Sequence, residues 1–89
     1  MYLHLGQSVV VPFDSVVGVF DLDNTTGSRI TRDLLRRAER EGRVETVTSE
    51  LPRSFVLCSE NGEQKIYLSQ LTTATLLKRS EGGGSGLQE

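Results

Sequence analysis

Apolar and polar residues alternate from the first positions of the chain. Leu3 and Leu5 fall on one side of an extended segment, with Tyr2 and His4 on the other. A second strand is expected over Val9 to Val11, and the intervening Gly6-Gln7 suits a two-residue hairpin loop led by glycine. Pro12 ends that strand. Val16 to Leu22 is apolar on both faces apart from Gly18, which places it at the centre of a sheet or in an interface. Asp23 to Gly27 reads as loop, with Ser28 as the N-cap of a following helix.

Between Ser28 and Arg43 the period changes from two to between three and four. Arg29, Arg32, Arg36, Arg40 and Arg43 fall within about 80° of arc on a helix. Ile30, Thr31, Leu34, Leu35 and Ala38 occupy the opposite side as a stripe suited to packing on a sheet. Gly42 stands where a left-handed C-cap is common. Thereafter the strand pattern returns, weakly over Val44 to Thr48 and strongly over Arg53 to Ser59, then over Lys65 to Ser69. Asn61-Gly62 is the strongest hairpin signal in the chain, and Pro52, unable to donate to a ladder, belongs at a strand start or edge. Thr72 or Thr73 opens a short helix through Arg79, with Leu71, Ala74 and Leu77 as a narrow apolar seam. The resulting order, β-β-β-α-β-β-β-α, predicts an α+β fold: a small antiparallel or mixed sheet of about six short strands under one principal helix. Residues 1–79 form a single domain, and residues 80–89, with GGGSG at their centre, read as a flexible tail.

The chain has 89 residues and a net charge of -2, but the charge is unevenly spread. Residues 1–27 carry three acids and no Lys or Arg, residues 28–43 six arginines against three acids, and residues 44–89 four bases against six acids. A guanidinium is a planar fork that matches phosphate oxygens, so a row of them one helical turn apart can follow a polyanion backbone. The alternative is a solvated helix face with local ion pairs, for which Asp33 to Arg36 or Arg37 and Glu39 to Arg43 have the right spacing. Nucleic-acid affinity scales with the phosphates neutralised, so one patch on one monomer is too little, and DNA binding requires several copies in an assembly. A small core without disulfide or metal reinforcement also favours self-association. The single cysteine, Cys58, lies in the apolar run Phe55-Val56-Leu57-Cys58 and reads as a buried thiol, which fits a reducing compartment. No basic leader with a long apolar segment opens the chain, and no stretch approaches the roughly 18 apolar residues of a membrane span. A soluble, cytoplasmic protein without membrane partner is expected.

Catalytic and cofactor chemistry is thinly represented. The run Val19-Phe20-Asp21-Leu22-Asp23-Asn24-Thr25 looks like the first motif of haloacid-dehalogenase-type phosphatases, in which the first Asp is the nucleophile and the second the general acid/base. That chemistry also needs magnesium, further carboxylates and a doubly wound parallel sheet. After Asp23 the chain holds one more aspartate, Asp33, and the element order cannot make such a sheet. An acidic turn leaving a strand is the preferred reading. His4 is the sole histidine and has no partner at metal-ligand spacing. No enzyme, metal, cofactor or small-molecule substrate is expected.

Taken in order, several stretches resemble the small bacterial extracellular-matrix regulators of the RemA/RemB family, and the RemB branch in particular. They are Met1-Tyr2-Leu3-His4-Leu5-Gly6, Val16-Val17-Gly18-Val19-Phe20-Asp21, Pro52-Arg53-Ser54-Phe55-Val56-Leu57, and Tyr67-Leu68-Ser69 through Thr75-Leu76-Leu77-Lys78-Arg79. The resemblance implies a DNA-binding transcriptional regulator of biofilm-matrix genes that assembles into homo-oligomeric rings. In the RemA branch a paired-arginine turn before the central strand is important for DNA contact. Here that region is Glu50-Leu51-Pro52-Arg53, so Arg53 alone carries over from it, and Arg29, Arg32, Arg36, Arg40 and Arg43 enter from the helical spacing. The alternative is an oligomeric protein-interaction or scaffold module.

Overall fold

The computed structural model describes residues 1–22 and 29–81. The expected loop at Asp23 to Gly27, the Ser28 cap and most of the C-terminal tail lie outside these. The strands are β1 (Tyr2–Gly6), β2 (Val9–Pro12), β3 (Val16–Asp21), β4 (Val44–Thr46), β5 (Ser54–Glu60) and β6 (Glu63–Ser69). The helices are α1 (Arg29–Arg40) and α2 (Thr73–Glu81), and a single 3-10 turn spans Phe13–Ser15. β1 and β2 form a separate hairpin, while the main sheet has the order β3-β5-β6-β4. It is mixed: β4 runs parallel to β6, and β5 is antiparallel to both β3 and β6. The α+β expectation and the element order therefore hold.

The central strand is β5, buried on both faces, and its alternation divides the core into two clusters. Phe55 and Leu57 face α1 and pack with Ala38, Leu34, Leu35, Ile66, Leu68 and Phe20. Val56 and Cys58 face the hairpin and α2, where they meet Leu3, Leu5, Val11, Val47 and Leu76. The molecule is thus three layers, with α1 on one side of the sheet and the hairpin plus α2 on the other. Gly18 is required by close approach. A Cβ there would lie 2.8 Å from the Phe20 ring, which stacks on Phe55 with centroids 4.9 Å apart.

Turns follow local chemistry. Asn61 and Gly62, at φ 53 and 82, make the tight turn between β5 and β6 in the left-handed conformation that a type I′ hairpin demands. The first hairpin turns one residue later than expected, at Gln7-Ser8. Gly6, at φ 117, stays in the ladder opposite Val9, where the register shifts, and Gln7 takes φ 52. α1 ends at Arg40, short of the expected Arg43, because a Schellman motif closes it. Gly42 adopts φ 71, its N–H donates to the Glu39 carbonyl at 3.1 Å, and the Arg43 N–H donates to the Ala38 carbonyl at 2.8 Å.

Four further expectations are corrected or narrowed. Of the two places expected for β3, the centre of the sheet is ruled out, since β5 takes the middle position and β3 lies at the edge; Val17, at the irregularity between Val16 and Gly18, is 60% exposed. In α2 the buried side chain is Leu76, while Leu77 and Ala74 are exposed. Adjacent helical residues diverge by about 100°, so only one of the two leucines can face inward. The choice is set by anchoring at the helix start, where Ser54 Oγ donates to the Leu71 carbonyl and Thr72 Oγ1 accepts from the Thr75 N–H. α2 also continues to Glu81, past the expected end at Arg79. Finally, Ile30 is 80% exposed: it lies about 80° around the helix from buried Ala38, at the margin of the stripe.

Candidate nucleic-acid interface

α1 docks through Leu34, Leu35 and Ala38, and this fixes the rotation of everything else on it. Arg29, Arg32, Arg36 and Arg40 are consequently exposed on the side turned away from the sheet, as the spacing predicts. Arg37, which the five-residue stripe omits, is exposed as well. The buried arc is narrow, so an arginine displaced about 60° from Arg40 still reaches solvent. Its signal was its position in the last turn of the helix, where a cation complements the C-terminal dipole.

The two readings of the stripe differ in what the arginines hold. Among the described residues the salt bridges are Arg43 to Glu41 at 2.6 Å and Lys65 to Glu45 at 2.8 Å. The local pairs expected from spacing, Asp33 with Arg36 or Arg37 and Glu39 with Arg43, are not among them. The guanidinium groups of the α1 row are therefore not committed to carboxylates in the described chain.

Arg43 stands apart. It lies beyond the helix, at the second residue of the Schellman motif, and its side chain is only 24% exposed. Nε donates to Glu41 Oε1 at 2.7 Å and Nη1 to the Gln64 carbonyl at 2.9 Å. It ties the α1–β4 connection to the start of β6 and is separated from the helix row by structure as well as by engagement. It also borders a cleft of about 260 Å³ lined by Gly42, Cys58, Glu60, Lys65 and Tyr67. In that cleft the Lys65 ammonium sits 5.2 Å over the Tyr67 ring, and the hydrogen bond to Glu45 raises its pKa.

Arg53 occupies a different element, just ahead of β5. Its backbone is pinned on both sides: the N–H donates to the Ser69 carbonyl at 2.8 Å, and the carbonyl accepts from the Leu22 N–H at 3.1 Å. The side chain is exposed, next to Leu51, which is 85% exposed. The result is a rigid tip with a free-standing cation at the end of the sheet where β3 finishes. These main-chain anchors had no signal in the sequence, since both depend on strand register.

Other candidates do not gather into a site. No group of three or more His, Cys, Asp or Glu side chains that could hold a metal occurs among the described residues. His4 is exposed on the outer side of the hairpin, opposite Val10. Asp21 ends β3 opposite Ser54, whereas Asp23 lies outside the described residues. The mixed sheet is not the parallel sheet that the phosphatase-like motif needs. Among the described residues no helix is long and apolar enough to cross a membrane.

Comparison with known proteins agrees with the ordered set of sequence motifs. No family model matches the chain. Over 81 residues, 91% of this chain and 91% of the relative, it is 33% identical to extracellular matrix regulatory protein B of Bacillus subtilis (strain 168). With that identity over nine-tenths of both chains, this chain belongs to the RemA/RemB family of extracellular matrix regulatory proteins.

Proposed function

We propose that this protein is a cytoplasmic transcriptional regulator of extracellular-matrix genes that binds DNA as a homo-oligomeric ring, through arginines repeated around the assembly. The observation that carries this reading is the exposed α1 row of Arg29, Arg32, Arg36, Arg37 and Arg40, none of which is in a salt bridge among the described residues. Such a row suits phosphate contacts that position a duplex without reading its bases. Arg53 adds a second cationic point on a rigid support. Because the net charge is -2, each subunit alone is a poor polyanion ligand, and repetition of the row provides the affinity.

The test is binding of duplex DNA to the intact oligomer over a range of salt. Log affinity should fall linearly with log salt, by about 0.9 per phosphate neutralised, with weak sequence preference. A slope near zero, or no binding at low salt, would remove the DNA reading. It would leave an oligomeric protein-interaction module, which the exposed Met1, Tyr2, Val10, Val17 and Leu51 favour. Asp21→Asn should keep DNA binding and assembly, and magnesium-dependent phosphomonoester hydrolysis lost in that variant would instead establish an enzyme.

A further inference from the structure

Three strands of the main sheet turn charged side chains to the face opposite α1. Glu60 follows Cys58 in the alternation of β5, Glu63 pairs with Glu60, Lys65 with Cys58, and Glu45 of β4 with Tyr67, so all of them share one face. Glu60, Glu63 and Lys65 are exposed there. With Arg43 and Tyr67 they wall the cleft of about 260 Å³ beside the α1–β4 connection.

Both signs of charge are present, and they are engaged differently. Arg43 places Nε and Nη2 on Glu41 and Nη1 on the Gln64 carbonyl, which leaves one N–H on each terminal nitrogen. Lys65 Nζ meets Glu45 at 2.8 Å and stands over the Tyr67 ring, with a further N–H to give. The two cations are held in place with donors to spare. Glu60 and Glu63 are the reverse case: they stand directly opposite one another at the end of the β5–β6 ladder, where like charges repel, and neither is in a salt bridge among the described residues. Lys65 lies two residues from Glu63 on β6, so the fixed donors and the unmatched carboxylates are about 7 Å apart along the sheet.

We propose that this cleft binds a free amino acid with a cationic side chain. Charge and size select the ligand. Its α-carboxylate takes the remaining N–H groups of Arg43 and Lys65, and its two cationic groups go to Glu60 and Glu63. A simple anion fits poorly, because the two cations already stand among four carboxylates, Glu41, Glu45, Glu60 and Glu63. A diamine lacks the acceptor that the fixed donors need. The volume lies below the roughly 300–1,000 Å³ of pockets for drug-sized molecules and suits a molecule of amino-acid size. The site shares no residue with the α1 row and does not depend on DNA binding.

L-lysine is the probe, titrated into the intact chain without DNA and followed by amide chemical shifts. Shifts should centre on Glu60, Glu63, Lys65 and Tyr67 and saturate with a Kd of about 1 mM or tighter. Cadaverine, which lacks the carboxylate, and L-norleucine, which lacks the side-chain cation, should each bind about tenfold or more weakly. Glu63→Gln removes the repulsion with Glu60, so it should keep the fold, checked by thermal melting, and weaken L-lysine binding about tenfold. Lys65→Met should weaken L-lysine by a similar factor and leave cadaverine binding no weaker. No shifts with L-lysine up to about 10 mM would overturn the site. Cadaverine matching L-lysine would reduce it to a simple cation site, and L-norleucine matching L-lysine would remove the role of the side-chain cation; either result overturns the proposal. Unchanged L-lysine affinity in both folded variants would place the ligand elsewhere and overturn it as well.

Discussion

The two layers that cover the sheet are held by different means. α1 satisfies its own backbone, ends on a glycine-based cap, and meets the sheet through side chains that are wholly apolar at the contact. The hairpin layer has Leu3, Leu5 and Val11 for its packing and is in addition pinned by buried hydroxyls. Ser69 Oγ donates to the Leu5 carbonyl at 2.7 Å and accepts from the Leu71 N–H at 3.0 Å, and Ser54 Oγ donates to the Leu71 carbonyl at 2.7 Å. An isolated two-stranded hairpin is marginal in water, so its position depends on anchors from the sheet. A helix needs fewer such anchors, and its outer face is free to carry charge. One layer therefore presents arginines and the other an apolar surface.

Removing the packing shared beneath α1 should have the largest effect. Phe55 is 1% exposed and stacks on Phe20, so Phe55→Ala should destabilise the chain by about 3–5 kcal/mol. That is a large share of the stability of a small domain, and urea denaturation followed by circular dichroism will measure it. Loss of the α1 signal alone, with the hairpin layer still cooperative, would mean that the two layers fold independently.

The hydroxyl anchors come next. Ser69→Ala leaves the Leu5 carbonyl and the Leu71 N–H without this partner in a buried setting, a cost of about 1–3 kcal/mol. Hydrogen exchange should rise first in β1 and at the start of α2. Uniform acceleration across α1 as well would show that the pin serves the whole sheet and not its layer.

The arginines sharpen the contrast on the outer surface. Arg32→Ala combined with Arg36→Ala, and separately Arg53→Ala, should weaken DNA binding by about tenfold or more and flatten the salt slope while the oligomer persists. Loss confined to Arg53→Ala would place DNA on the tip before β5 and leave the α1 row a solvated face. Unchanged affinity and slope in both would refute the contact surface. Arg43→Ala should instead cost about 1 kcal/mol of stability, since its guanidinium joins two chain segments. Its effect on the salt slope should be smaller than that of the helix pair.

The order of elements was legible because each local signal acts over a few residues: Asn61-Gly62 for a turn, Gly42 for a helix end, and the leucine spacing for the buried side of α1. The exposure of Arg29, Arg32, Arg36 and Arg40 follows from the same period. Long-range pairing was not legible. Nothing local says that β4 runs parallel to β6, that β3 is an edge, or that Ser54 and Ser69 anchor the second layer, since these depend on which strands meet. For the same reason neither the choice of Leu76 over Leu77 nor the main-chain pinning of Arg53 could be read in advance. Arg43 was misassigned to the helix because its angular position matches the row, while the cap that excludes it is a matter of backbone conformation.

The smallest effect expected is in alkali, and it reports on the hairpin side of the sheet. Burial pushes the Cys58 thiol above its ordinary pKa, with a hydrogen bond from Ser15 opposing in part; burial likewise raises Tyr67. In both cases the folded chain holds a proton that the unfolded chain releases more readily. Stability from these groups is therefore complete at neutral pH and declines as pH rises above about 8.5, first through the thiol and then through the phenol. Urea midpoints measured from pH 7 upward should fall across this range, and Cys58→Ala should remove the earliest part of the fall. The thiol, 3% exposed, should also resist alkylation by iodoacetamide in the folded state and react once urea opens the layer. Alkylation of the native protein at the rate of a free cysteine would mean that the hairpin and α2 lift from the sheet far more often than α1 does, and would make that layer the mobile half of the molecule.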